Sequence, residues 1–333
     1  FGTSCYNLWI NYDHHDNTYG ANCHDMVFHE LNWFNVYGDG CYSFSASAEI
    51  YYNTYGARCH DINPPYKFSY NTFGPGCYNF KTWYMYYSQW SFGAGCHDFV
   101  INPSRSYDGC RFGNYCYNIT FAGSFAQGVY YCEFGDGCHD ITINKYAHRN
   151  TFENGCSNIT VGSNNERNSF GNGCNNISLG TYCCDNSFNN NVSNITTATN
   201  GYCNSNNFGN NCDNIKLCSN SKNNVFEPSC SNIRLGVTIS GSLYNKQNSA
   251  DYTTGNKFRS GCSYIDVVFP STSSGFNFKG NIFNETSGTA SAHFQINSEK
   301  IGHIWNKNVD VTPALDSTNE CINTWYADDK KVN

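Results

Sequence analysis

Four His-Asp dipeptides carry the most chemical capacity in this sequence: His24-Asp25, His60-Asp61, His97-Asp98 and His139-Asp140. An imidazole beside a carboxylate can move a proton or ligate a transition metal. Cysteine could do as much, and the chain holds 20. Carboxylates for a glycosidase exist at Glu30, Asp39, Glu49, Asp108, Glu133 and Asp136, but no pair stands out by spacing. Tyr12-Asp13-His14-His15-Asp16 is the best isolated metal candidate, and a polar turn explains it as well. Exposed-ring chemistry is suggested by Trp83, Tyr84, Tyr86, Tyr87 and Trp90, with Tyr107, Tyr130 and Tyr131 in equivalent stretches. Tyr51, Tyr52, Tyr66, Phe68 and Tyr70 also lie there. Rings of this kind suit sugars and protein partners, or else line a wider core.

What positions these groups is a repeat. The string aromatic-Gly-x-x-Cys recurs from Phe1 through Tyr19, Tyr37, Tyr55 and Phe73 to Phe258, in steps of 18 with small insertions. Counting the aromatic as position 0, position +4 is Cys in thirteen of fourteen repeats, with Val192 the exception. Position +7 is always apolar, +1 is Gly in ten repeats, and −2 is Asn in ten of thirteen. Helical hairpin repeats need 33 residues or more, and propeller blades about 40. Gly and Asn are poor helix formers, and Ile-Thr-Val alternates as a strand does. We therefore expect an all-β fold, a single-stranded parallel β-helix (β-solenoid) of about 18 residues per coil, coils stacking about 4.8 Å apart.

The columns then acquire roles. The expected core comprises Cys23, Cys41, Cys59, Cys77, Cys96, Cys116, Cys138, Cys156, Cys174, Cys212, Cys230 and Cys262. With them go Ile119, Ile141, Ile159, Ile177, Ile195, Ile215 and Ile233. Unpaired Cys packs as a small hydrophobe, and a ladder of parallel side chains disfavours disulfide geometry. Asn at stacked corners can bond to its copies above and below. Gly at +1 would supply a corner of positive φ. Position +5 alternates Tyr6, His24, Tyr42, His60, Tyr78, His97, Tyr117, His139. Successive histidines stand two coils apart, about 9.6 Å, too far to share one metal within a chain. A surface stack of interleaved rings, a ligand contact and a metal or catalytic role all remain open for them.

Three segments follow. Residues 1–146 form aromatic-rich coils, and residues 147–283 form Asn/Ser/Gly-rich coils interrupted by an insertion at 236–255. A weak last coil is expected at Phe278-Lys-Gly-Asn-Ile282, and residues 284–333 lose the pattern as a cap or linker. The repeat is already under way at Phe1, so we expect a part that precedes it.

The units Asn168-Ser-Phe-Gly-Asn-Gly-Cys-Asn-Asn-Ile177 and Asn206-Asn-Phe-Gly-Asn-Asn-Cys-Asp-Asn-Ile215 resemble Asn- and Cys-rich repeats in tail-fibre and adhesion proteins of gut Bacteroidales and their phages. The resemblance covers roughly residues 1–265. It implies a trimeric or stalk-like appendage that contacts a host surface glycan.

Composition narrows the functions. Only 14% of residues are charged and the net charge is −7, which argues against nucleic acid. No run of 18 apolar residues exists to span a membrane as a helix. The expectation is a structural rod of a fibre or tail appendage, on a virion or extracellular surface. Its partners would be further copies of itself (a trimer among them), other fibre proteins or a cell-surface glycan. The alternative is a tailspike-like polysaccharide-degrading enzyme on a β-helix. We assign no catalytic residue, no metal site and no cofactor.

Overall fold

The computed structural model describes residues 1–47, 49–64, 68–82, 89–102, 107–122, 128–198, 201–218 and 220–235, and short stretches beyond. All described regular structure is β-strand. The chain divides into two compact units, Phe1–Gly162 and Ser163–Asn333.

In the first unit each coil has three sides. The long side holds positions +5 to +9, as in Tyr6–Ile10, His24–Phe28 and Tyr42–Ala46, and continues to His139–Lys145. Neighbours pair in parallel with like on like: Leu8 with Met26, Met26 with Phe44, Phe44 with Ile62. Positions −5 and −4 make a second side, such as Asn32–Trp33 beside Ile50–Tyr51. Positions −1 and 0 make the third, such as Thr18–Tyr19 beside Val36–Tyr37. Every coil therefore closes its backbone hydrogen bonds on the next, as buried amides require. The second unit repeats the scheme, with Asn175–Leu179, Ser193–Thr197, Asp213–Lys216 and Ser231–Leu235 in order on its long side.

Period-2 alternation on the long side puts +7 and +9 inside and +6 and +8 outside, so Met26 and Phe28 are buried while Asp25 is exposed. Every Cys expected in the core is buried, as is every Ile in that set. The thiols have a further task. Cys41, Cys59, Cys77 and Cys96 each donate to the carbonyl of the +1 glycine one coil back, at 3.3–3.4 Å. Hydrogen bonding within the column to Cys59 and Cys96, and then burial, push the Cys77 thiol up. These cysteines are free. A disulfide joins Cys203 to Cys218, which lie in other columns, with Cα atoms 6.3 Å apart.

The aromatic column stacks face to face inside, from Tyr19 on Tyr37 at 4.9 Å to Phe112 on Phe134 at 5.0 Å. Beside it runs the −2 asparagine ladder, which is internal and not at the surface of a corner: Asn35, Asn53, Asn71, Asn186 and Asn224 are all buried. Each side-chain oxygen accepts the backbone N–H of the Asn one coil back, as Asn53 does from Asn35 at 2.7 Å. Each amide nitrogen reaches a backbone carbonyl of the coil before, as Asn206 does to Cys183 at 3.0 Å. Both polar ends are satisfied, which is the condition for burying an amide.

Three positions recur with left-handed backbone, and −6 joins them in three coils, at Tyr146, Asn164 and Tyr182. Position +6 has φ of 51–59°, position +3 includes Gly40 and Gly76, and position −3 includes Asp16, Asp185 and Asn223. Asn, Asp and Gly enter this region at least cost, which accounts for the +6 column. The expectation for Gly at +1 is corrected: Gly20, Gly38 and Gly56 are not among the residues with positive φ. They are needed because the coils touch there. A Cβ on Gly38 would stand 2.7 Å from the Ala21 nitrogen and 2.8 Å from the Gly20 carbonyl carbon.

The last coil is also re-registered. Ile282–Phe283 pairs with Lys257–Phe258, so Phe283 and not Phe278 fills the aromatic position. Residues 278–281 lie outside the described residues. Ser291–Ile296 pairs in parallel with Ser263–Phe269 on one edge and antiparallel with Glu299–Trp305 on the other, which ends the parallel stacking.

The ladder gives a stability prediction. Asn186→Ala would strip the acceptor from the Asn168 backbone N–H and from its side-chain amide. Orphaned buried donors should cost about 2–3 kcal/mol in urea unfolding. An unchanged midpoint would contradict the ladder.

Candidate functional surface

Two outward columns of the first unit concentrate its exposed chemistry. The first is the Tyr/His column at +5. Its rings stack along the long side, with His24 on Tyr42, Tyr42 on His60, His60 on Tyr78 and His97 on Tyr117 at 4.6–4.9 Å and 5–13° between planes. The interleaving expected from the sequence is therefore present. Each His in this column turns Nδ1 to the next residue's carboxylate: Asp25, Asp61, Asp98 and Asp140 at 2.8–2.9 Å. The left-handed backbone at the Asp makes this contact between sequence neighbours, which in a flat strand would point to opposite faces. The other carboxylate oxygen accepts the Asn amide one coil on: Asn79 to Asp61, Asn118 to Asp98, and Asn158 to Asp140. Donation from Asn118 and then His97 holds the Asp98 carboxyl below the usual range, and His139 with Asn158 does the same for Asp140.

The second column is the −3 corner, of which the sequence points to Tyr52 and Tyr70 but not to Phe34 or to their common register. Phe34, Tyr52 and Tyr70 occupy it in three consecutive coils, 41–47% exposed, at φ of 52–57°. Bulky side chains rarely accept this backbone, and it costs about 1–2 kcal/mol each relative to ordinary conformations. Phe34 stacks on Tyr52 at 5.0 Å, and Tyr52 on Tyr70 at 4.8 Å. Trp33 adds a tilted ring 5.3 Å from Phe34. Stacking covers both faces of Tyr52, so this ring can offer only its edge and hydroxyl. At the same position Asp16, Asp185 and Asn223 are cheap residues, while Tyr131, Arg149 and Arg167 are bulky ones.

The aromatic residues singled out from sequence scatter. Trp90 is a correction: it is buried, with Nε1 donating to the Phe68 carbonyl at 2.9 Å and its ring against Phe80 and Phe92. It stands at the −2 position, where other coils carry Asn, so its indole points inward. Phe68 is likewise buried. Tyr130 is half-buried and stacks on His148 at 5.0 Å. Tyr131 is half exposed and left-handed, with Arg149 donating to its hydroxyl and lying 5.4 Å from its ring centre. Tyr107 lies in the strand Tyr107–Asp108, and nothing is described of its side chain. Trp83, Tyr84, Tyr86 and Tyr87 lie outside the described residues.

Three of the six carboxylates suggested for sugar chemistry have structural employment. Asp39 accepts the Ala57 N–H at 2.8 Å, and Asp136 accepts the Asn154 N–H at 3.0 Å. Glu133 pairs with Arg111 at 2.6 Å. Among the described residues no group of three His, Cys, Asp or Glu comes together to hold a metal.

The placement of Trp90 can be checked. Trp90→Ala should destabilise the fold by about 3–5 kcal/mol, as truncation of a buried ring does. A variant that melts like the parent would return Trp90 to the surface. No family model, curated protein or solved structure matches the chain.

Proposed function

We propose that the chain is the structural rod of a fibre or tail appendage on a virion or extracellular surface, and that its first unit presents a surface for contact. One observation carries the contact: Phe34, Tyr52 and Tyr70 stay exposed at left-handed corners where Asn or Asp would relieve strain. Strain kept at the surface is a signature of a working site. The rod is supported by the hydrogen-bonded stacking of like coils, which extends by adding units without a new core. The partner is another fibre subunit, a further copy of the chain or a host-surface glycan. Because Tyr52 and Tyr70 carry hydroxyls at this corner, a polar partner that accepts hydrogen bonds suits them best. No observation favours polysaccharide cleavage over contact, since Asp39, Glu133 and Asp136 are held in structural bonds.

The test is the triple variant Phe34→Asn, Tyr52→Asn, Tyr70→Asn. Relief of backbone strain offsets the lost ring contacts, so stability should move by less than about 1 kcal/mol. Binding on a glycan array, or to isolated fibre proteins, should fall by about tenfold or more. Undiminished binding would remove the corner from the contact. Release of reducing ends from capsular polysaccharide by the parent would favour the enzyme.

A further inference from the structure

The +5 column has a property that passive stacking does not need. In His24, His60, His97 and His139 the Nδ1 atom is committed to a carboxylate, at 2.8–2.9 Å. The carboxylates of Asp61, Asp98 and Asp140 are in turn anchored by the side-chain amides of Asn79, Asn118 and Asn158 one coil on. A neutral imidazole that donates from Nδ1 carries its lone pair on Nε2. Those Nε2 atoms have no partner among the described residues, and the four imidazoles are 23–41% exposed. Tyr rings stacked above and below fix the ring planes of His24, His60 and His97, and Tyr117 stacks on one face of His139. A carboxylate behind an oriented imidazole with a free nitrogen is the arrangement that second shells use to prepare a metal ligand.

One chain supplies only one such nitrogen per position, because successive histidines lie about 9.6 Å apart, two strand spacings. A borderline divalent cation such as Zn²⁺ binds weakly to a single imidazole and needs further N, S or O donors. We propose that the column is half of a metal site, completed by the same column of a second copy of this chain. The even spacing makes all four positions usable at once. Copies related by a two-fold along the axis would meet His24 with His24 and so on down the row. Copies running antiparallel would meet His24 with His139 and His60 with His97. Charge favours the same occupant: the column carries Asp25, Asp61, Asp98 and Asp140 on a chain of net charge −7, so two bare faces repel and intervening cations neutralise them. Four weak bridges in one row act together as a multivalent contact. This inference does not depend on the rod belonging to an appendage.

The full chain is titrated with Zn²⁺ alone and followed by light scattering and sedimentation velocity. The expected result is a doubling of mass that EDTA reverses and that Mg²⁺, a hard cation preferring oxygen, does not reproduce. The variant His24→Tyr, His60→Tyr, His97→Tyr, His139→Tyr keeps a ring in every coil of the stack, so it should fold, and it should stay monomeric with Zn²⁺. Asp61→Asn with Asp98→Asn should raise the Zn²⁺ concentration at half-association by about tenfold, the usual effect of removing a metal ligand's buttress. Association of the Tyr variant like the parent, association driven equally by Mg²⁺, or Zn²⁺ binding without a change of mass would each overturn the proposal.

Discussion

Each coil bonds its backbone to the next over all three sides: His24 N–H to the Cys5 carbonyl, Gly38 N–H to Tyr19, and Asn32 N–H to Glu49, all near 3 Å. That constraint sets the pitch at one strand spacing, and it places each residue within about 5 Å of its counterparts above and below. A column can therefore hold only residue types that tolerate their own kind as neighbours. Planar rings do so by stacking, amides by bonding to each other, and thiols by donating to a carbonyl one coil away. Charged residues do not, which is the physical reason for a charged fraction of only 14%.

The narrow cross-section adds a second demand. Turning the chain three times within about 18 residues requires left-handed backbone at +3, +6 and −3. At +6 the chain answers almost uniformly with Asn or Asp. At −3 it answers with whatever the surface requires, and there the aromatic and polar coils differ. The exposed rings of Phe34, Tyr52 and Tyr70 thus stand at positions where backbone economy favours small polar residues. The histidine column obeys the same logic, since its Asp partners also supply the left-handed corner.

The repeat made the fold legible, because Cys at +4, the aromatic at 0 and apolar residues at +7 can only be inward ladders. Roles that depend on a neighbour one coil away were harder to read. Gly at +1 could serve a left-handed corner or a close approach, and only the distance from Gly38 to Ala21 and Gly20 decides for the second. Trp90 sits in a run of rings that reads as surface, yet it takes the place of a core Asn. In the sequence Phe34, Tyr52 and Tyr70 look like other scattered aromatics, and their shared left-handed backbone and stacking set them apart as one corner. The register of Phe283 on Phe258 is hidden in the sequence because the coil spacing changes near the end of the repeat.

The central claim is that like residues stack coil on coil through continuous backbone bonding and buried ladders. Residue-resolved hydrogen exchange tests it most directly. The account predicts strong protection recurring coil after coil at −1, +1 and +5, and at the −2 N–H wherever the next coil carries Asn at −2. Rapid exchange at Asn35, Asn53, Asn186 and Asn206, with protection confined to isolated segments, would contradict it.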